Sequence, residues 1–342
     1  MQSLAKKSSK DVQIALDMGS HSIKAAAISH AKPKPLLLSY SIMPIGDDVV
    51  KAISRAFDAL GLARTKVVIS ISGSMVIARY IHIQSMNDQE LEGAIRFEAE
   101  KVIPYDMNDV QLDFARIEDL DDNKMCVVMV AAKKDLIEAQ IRMLSEAGLE
   151  PAIFDVDLFA VINAFMNADV DKTGVCGLLN IGFNKSNLSI LNEGKPCLSR
   201  DIDIGARNIV KIIADNLSVS EQDALKILDD KLRTFDTLSD DDKKAIEAPV
   251  AETLSRLADE AVLSFDFYEN QHGNNVAKVF ISGGMSIPKF IEGFLKESLG
   301  RDLQRWNPMT NIDISETVDS NKLMESASQL AVVTGLALRK TE

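Results

Sequence analysis

The stretch IALDMGSHSIKAAAI, residues 14–28, lies over LLNIGFNKSNLSIL, residues 178–191, with Asp17 opposite Asn180 and Gly19 opposite Gly182. Each copy reads as an apolar strand, a turn of small or polar residues and a second apolar strand. Self-similarity at this separation marks a duplicated unit. Such a chain builds the same strand–turn–strand core twice, and turns related by duplication face each other across a cleft. With 342 residues there is length enough for two cores.

A turn of Asp, Gly and Ser is in the first place a plain hairpin. Three small-residue turns in one chain change that reading. Gly19, Ser20, His21 and Ser22 offer backbone N–H groups from one side, and Gly182, Phe183, Asn184, Lys185 and Ser186 from the other. With the Ser20, Ser22 and Ser186 hydroxyls these can cradle a triphosphate. Lys24 alternates along the strand after the first turn and adds a point charge. Lys185 points either at phosphate or at solvent. The third turn lies in ISGGMSIPKF, residues 281–290. There Gly283 and Gly284, followed by Met285, stand at a strand end before a helix and admit a flat ring and sugar. A Gly283→Arg change is expected to fill that pocket and spare the fold.

Between these motifs the periodicity changes. DDVVKAISRAFDALGLA is an amphipathic helix closed by Gly61, and TKVVISISG a buried strand. From about Arg79 to Pro151 the order is strand, helix, strand, strand, helix and a strand-like stretch, which predicts a compact inserted unit. Its first helix is capped by Asn87 or Asp88, carries the apolar stripe Leu91, Ala94, Ile95 and Val102, and stops at Pro104. Gly205 to Gln271 is almost wholly helical, interrupted by the polar DTLSDDDKK, and QLAVVTGLALR is a closing helix. The expected division is 11–78 for the first half, 79–151 for the insert, 152–174 for the return to the first half, and 175–340 for the second half with a helical part at about 206–275.

Composition narrows the function. Asp and Glu number 51 against 38 Lys and Arg, a net charge of −13, which repels nucleic-acid backbones. The basic AKKSSK near the start reads as a frayed tail. Cys126, Cys176 and Cys197 are far apart and form no Cys-x-x-Cys pair, as in a reducing compartment. The four histidines are scattered and make no ligand pair. No stretch approaches the ~20 apolar residues of a membrane span, and the start lacks a signal peptide.

Two hairpin turns followed by a late SGG turn resemble the actin, Hsp70 and sugar-kinase superfamily. The segments ELEGAIRFEAEKVIPYDMNDVQLDF and VVMVAAKKDLIEAQIRMLSEAGLEPAIFDVDLFAVINAF strongly resemble the PilM family of type IV pilus assembly, as do SRDIDIGARNIVKIIADNLSVSEQDALKIL and VFISGGMSIPKFIEGFLKESLG. The likeness runs from about residue 11 to 340. It implies an α/β, duplicated actin-like (ribonuclease H-like) ATPase fold, two halves around a nucleotide cleft, with a small α+β subdomain inserted in the first half. It further implies bound ATP, with magnesium held by Asp17. The implied partner is the cytoplasmic N-terminal tail of a PilN-like inner-membrane protein, gripped near the insert by a protein that does not itself enter the membrane. Other pilus motor or platform proteins and further copies of the chain stand open as partners. The chain departs from the family at Asn180, where Asp is common, and at GARN, residues 205–208, where Gly-Gly-Thr-like residues are common. A neutral Asn180 brings no charge for metal, which implies at most a slow ATPase. The alternatives are a polymerising filament protein like FtsA, or a small-molecule kinase with Asp201 or Asp203 as base on an exposed strand face.

Overall fold

The computed structural model describes residues 11–72, 76–233, 239–286 and 289–339. The tail AKKSSK, part of DTLSDDDKK, Ile287 with Pro288, and Lys340 lie outside them. The chain begins β1 (Val12–Met18), β2 (Ser22–Ser29), β3 (Leu36–Pro44), α1 (Val49–Asp58) and β4 (Lys66–Ile71). The insert follows as β5 (Val76–Gln84), α2 (Asp88–Val102), β6 (Val110–Leu120) and β7 (Lys124–Lys133). Next come α3 (Lys134–Glu146), β8 (Glu150–Val156) and α4 (Asp157–Asn167). The second copy is β9 (Val175–Ile181), β10 (Ser186–Asn192) and β11 (Lys195–Ile202), then α5 (Ala206–Leu217), α6 (Glu221–Arg233) and α7 (Asp240–His272). The chain closes with β12 (Lys278–Ser282), α8 (Lys289–Leu299), β13 (Asp302–Arg305), β14 (Asp313–Ile314), α9 (Ser320–Ser326) and α10 (Ala331–Leu338).

The duplication is a duplication of sheets. One sheet runs β14-β3-β2-β1-β4-β8 and the other β11-β10-β9-β12-β13. Leaving β14 aside, each is an antiparallel three-strand meander continued by two parallel strands. The repeated residues hold equivalent register, Asp17 opposite Lys24 in one sheet and Asn180 opposite Asn187 in the other. β1 is buried on both faces. Ile14 and Leu16 enter the core with Ile53 and Phe57 of α1, whereas Ala15 enters the core shared with α4 and α10. A strand covered on both faces reads as a continuous apolar run, which is how VQIALDM reads.

Burial periodicity does not name a strand's neighbour, and here the structure departs from the sequence expectations. The strand-like stretch at residue 150, grouped above with the insert, is β8 and pairs in parallel with β4. Leu144 of α3, Ala147 and Leu149 lie in the core of Ile14 and Leu16. The separate three-stranded sheet is therefore only β5-β7-β6, covered by α2. On α2 the buried stripe is Leu91, Ile95 and Ala99, at i, i+4, i+8, while Val102 in the last turn is exposed. Asn87 and Glu90 form a reciprocal capping box at its start. The chain's end returns to the first sheet, with β14 beside β3 and α10 against α4 and β1.

Candidate functional site

The β1–β2 and β9–β10 turns meet at the mouth of one cleft. The Asn184 N–H donates to Ser20 Oγ at 3.3 Å, and the His21 and Phe183 rings stack with centroids 4.8 Å apart. Behind them is a cleft of about 610 Å³. Its lining includes Asp17, Gly19, Ser20, His21, Ser22 and Lys24 from the first sheet. Asn180, Gly182, Phe183, Asn184 and Lys185 line it from the second, and Gly283, Gly284 and Met285 from the turn after β12.

Two expected residues stand behind the lining. Ser186 is fully buried, and its hydroxyl donates to the Ile204 carbonyl at 2.7 Å. Gly205 packs under the second turn, where a Cβ would come within 2.5 Å of the Phe183 carbonyl. This closeness lets the first amides of α5 reach the turn. Ala206 N–H donates to the Gly182 carbonyl at 3.1 Å and Arg207 N–H to that of Phe183 at 2.8 Å. Gly205 thus braces the cradle from outside.

Gly283 is also more constrained than its sequence context suggests. Its φ is +94°, and a Cβ would lie 2.3 Å from the Ile181 carbonyl oxygen. Gly284 has open space around the same position. The expected effect of Gly283→Arg, a filled pocket on an intact fold, therefore belongs to Gly284.

The charges are paired off in an unequal way. Lys24 Nζ binds Asp17 Oδ2 at 2.9 Å, and both side chains are largely buried. At the equivalent register Asn180 Nδ2 donates to Asn187 Oδ1 at 3.0 Å, while Ser282 Oγ donates to Asn180 Oδ1 at 3.1 Å. Asn187 Nδ2 donates to Asp201 Oδ1 at 2.7 Å, and Lys185 Nζ to Asp201 Oδ2 at 2.5 Å. Asp201 is consequently engaged and recessed rather than free on an exposed strand face, and only Asp203 is exposed.

Sequence reasoning passed over several lining residues. Asp157 is the first residue of α4, and burial, with Asp17 nearby, pushes its carboxyl up to about 6 against the pull of the Ser70 hydroxyl and Lys185. The two acids inside the apolar run FDVDLF, Asp155 and Asp157, were the available signal. Gln140 of α3 places a buried, unpartnered Oε1 at the cleft. Leu225, Leu228 and Asp229 of α6 form another wall. Gln140 and the α6 residues carry no motif, since helices distant in sequence deliver them.

Chemically the cleft combines backbone and hydroxyl donors, a flat glycine-lined recess beside leucines, and carboxylates of which one is neutralised by Lys24. Among the described residues no group of three or more His, Cys, Asp or Glu side chains forms a metal cage. Asp17, Asp157 and the unpartnered Gln140 Oε1 offer the cleft oxygen atoms of the kind that a hydrated magnesium ion takes through water.

Residues 15–341 match the family model described as type IV pilus assembly protein PilM. The structure is similar to a PilM-PilN type IV pilus biogenesis complex, at 24% identity, covering 96% of this chain and 98% of that one, with a TM-score of 0.84. It is also similar to the ethanolamine utilization protein EutJ from Carboxydothermus hydrogenoformans, at 11% identity over 96% of this chain and 89% of that one, TM-score 0.54. The chain thus shares its α/β fold of two related sheets with both of these proteins. In sequence, 225 residues are 24% identical to the cell division protein FtsA of Bacillus subtilis, covering 57% of this chain and 50% of that protein. The chain spans half the length of this curated relative.

Proposed function

Because the chain belongs to the family of the type IV pilus assembly protein PilM, we propose that it is an ATP-binding scaffold of a pilus inner-membrane platform that holds the cytoplasmic N-terminal tail of a PilN-like protein. The observation that carries the reading is the meeting of the two duplicated turns over one cleft, with the Gly283–Met285 turn in its lining. In this reading the N–H groups of residues 19–22 and 182–185 wrap the phosphates, and the sugar and ring lie along Gly284 and Met285 beside Leu225 and Leu228. Lys24 and Lys185 supply positive charge once a phosphate competes for them. Bound magnesium would neutralise phosphate charge, held through water by Asp17. Asn180, locked between Ser282 and Asn187, offers a neutral amide where a second carboxylate would assist an attacking water, so binding outlasts turnover.

The tail would bind at the insert. β5 is an edge strand of the three-stranded sheet, and an extended peptide can add to such an edge by backbone pairing. Among the described residues no helix is long and apolar enough to cross a membrane. A partner's tail would therefore serve as the tether.

The two ends of the insert meet, although Tyr80 and Glu118 also join it to Ser199 and Lys195 of β11. Val76 is the register partner of Ala132, so its two ends lie about 5 Å apart and a short glycine linker closes the gap. The test is fluorescence polarisation with a labelled synthetic peptide copying the N-terminal tail of a PilN-like protein. The intact chain binds it and the chain lacking 76–132 does not, while both bind ATP. Peptide binding that survives the excision contradicts the reading.

A further inference from the structure

A second concavity, of about 1100 Å³, lies at the other end of the first sheet. β2 runs from Ser22 at the nucleotide cleft to Ser29 beside this groove, seven residue steps or about 23 Å. The β2–β3 turn (HAKPKP, 30–35), the outer face of α4 and the end of α10 build it. None of its lining residues is acidic, in a chain whose net charge is −13. Lys32, Lys34 and Arg339 contribute three cations. Arg339 is shared with Asp155 at 2.6 Å and Lys34 with Asp313 at 3.2 Å, but Lys32 has no ion-pair partner among the described residues.

The rest of the lining is donor-rich. Asn163 and Asn167 stand one turn apart on α4, and Asn167 Nδ2 is buried with no hydrogen-bond partner. A buried donor without an acceptor costs free energy, and the exposed Asn163 amide beside it is open to a ligand oxygen. Met166, 42% exposed, and Leu338 add apolar surface between the polar groups.

We propose that this groove docks an acidic peptide, whose carboxylates meet Lys32, Arg339 and the α4 amides while an apolar side chain covers Met166. Shape and chemistry favour a peptide over an anionic membrane. The surface is concave and edged by Pro33 and Pro35, whereas a bilayer needs a flat or convex face with aromatic or leucine side chains to insert. This site is independent of the nucleotide reading and of the tail-binding edge at β5.

The test is fluorescence anisotropy with a labelled octapeptide of Glu alternating with Ala and Leu, its Lys-for-Glu counterpart, and phosphatidylglycerol vesicles by sedimentation. The acidic peptide binds and weakens as salt rises. Lys32→Glu with Asn163→Glu, both at exposed positions, weakens it at least tenfold, and Lys32→Ala by a smaller factor. The basic peptide and the vesicles do not bind. Affinity unchanged by the double variant overturns the proposal. So does sedimentation with vesicles that the same variant abolishes, or no binding of the acidic peptide at millimolar concentration.

Discussion

His21 and Phe183 stack across the mouth of the cleft with their planes 27° apart, joining a turn of the first sheet to the equivalent turn of the second. An aromatic pair of this kind is worth about 0.5–1.5 kcal/mol beyond its buried area. A nucleotide entering between the two turns is expected to part it. Phe183→Ala should therefore speed association of a fluorescent ATP analogue roughly 2- to 10-fold in stopped flow. An unchanged association rate would show that the stack does not gate the cleft.

The Gly-Gly turn separates pocket from fold. Gly284→Arg should remove nucleotide binding with little change in melting temperature, because nothing lies within 4 Å of its added Cβ. Gly283→Arg should instead lower stability by several kcal/mol, through a positive φ and a backbone clash with Ile181. Calorimetric melting of the two variants side by side distinguishes them. Equal melting temperatures would contradict the assignment.

The repeats differ where Asp17–Lys24 becomes Asn180–Asn187. Asn180→Asp alone turns a carboxylate oxygen toward Asn187 Oδ1, and flipping Asn187 to accommodate it gives up the bond to Asp201. A loss of about 1–3 kcal/mol is expected. Asn180→Asp with Asn187→Lys rebuilds the ion pair of the first repeat and should recover most of it. A double-mutant cycle by urea denaturation should give a coupling of ~1 kcal/mol or more, and additive effects would refute the transplant.

Asp157 makes stability depend on pH in a defined direction. Its carboxyl titrates at about 6 folded against 3.8 for an ordinary Asp, so the folded state binds more protons between those values. Stability then falls as pH rises from about 4 to 6 and stays lower above. Asp157→Asn should stabilise by roughly 1–3 kcal/mol at pH 7.5 and hardly at all at pH 4. Denaturation midpoints at the two pH values measure this, and a pH-independent difference would speak against a charged, partly buried Asp157.

The duplicated cores were legible because both copies bury each strand on two faces, leaving a continuous apolar run broken by a small-residue turn. Strand partners were not legible. β8 and β14 show the same local pattern whichever sheet receives them, so the insert's limits and the return of α10 to the first half emerge only in three dimensions. At the site, the turn residues stood out through glycine and serine. Ser186 and Gly205 carried the same signal but serve as bracing behind the loop, because a small residue suits close packing as well as ligand approach. Gln140 and Asp229 ride on amphipathic helices, where one polar residue among many has nothing local to mark it.

Calorimetric titration of ATP with magnesium into the intact protein tests the central claim most directly, since every role assigned to the facing turns requires a nucleotide between them. Saturable binding below millimolar concentration, abolished by Gly284→Arg in a protein that melts as the parent does, is the predicted result. No detectable heat from the parent at millimolar nucleotide would contradict it and leave DMGSHSIK and NIGFNKSN as two hairpins that only hold the halves together.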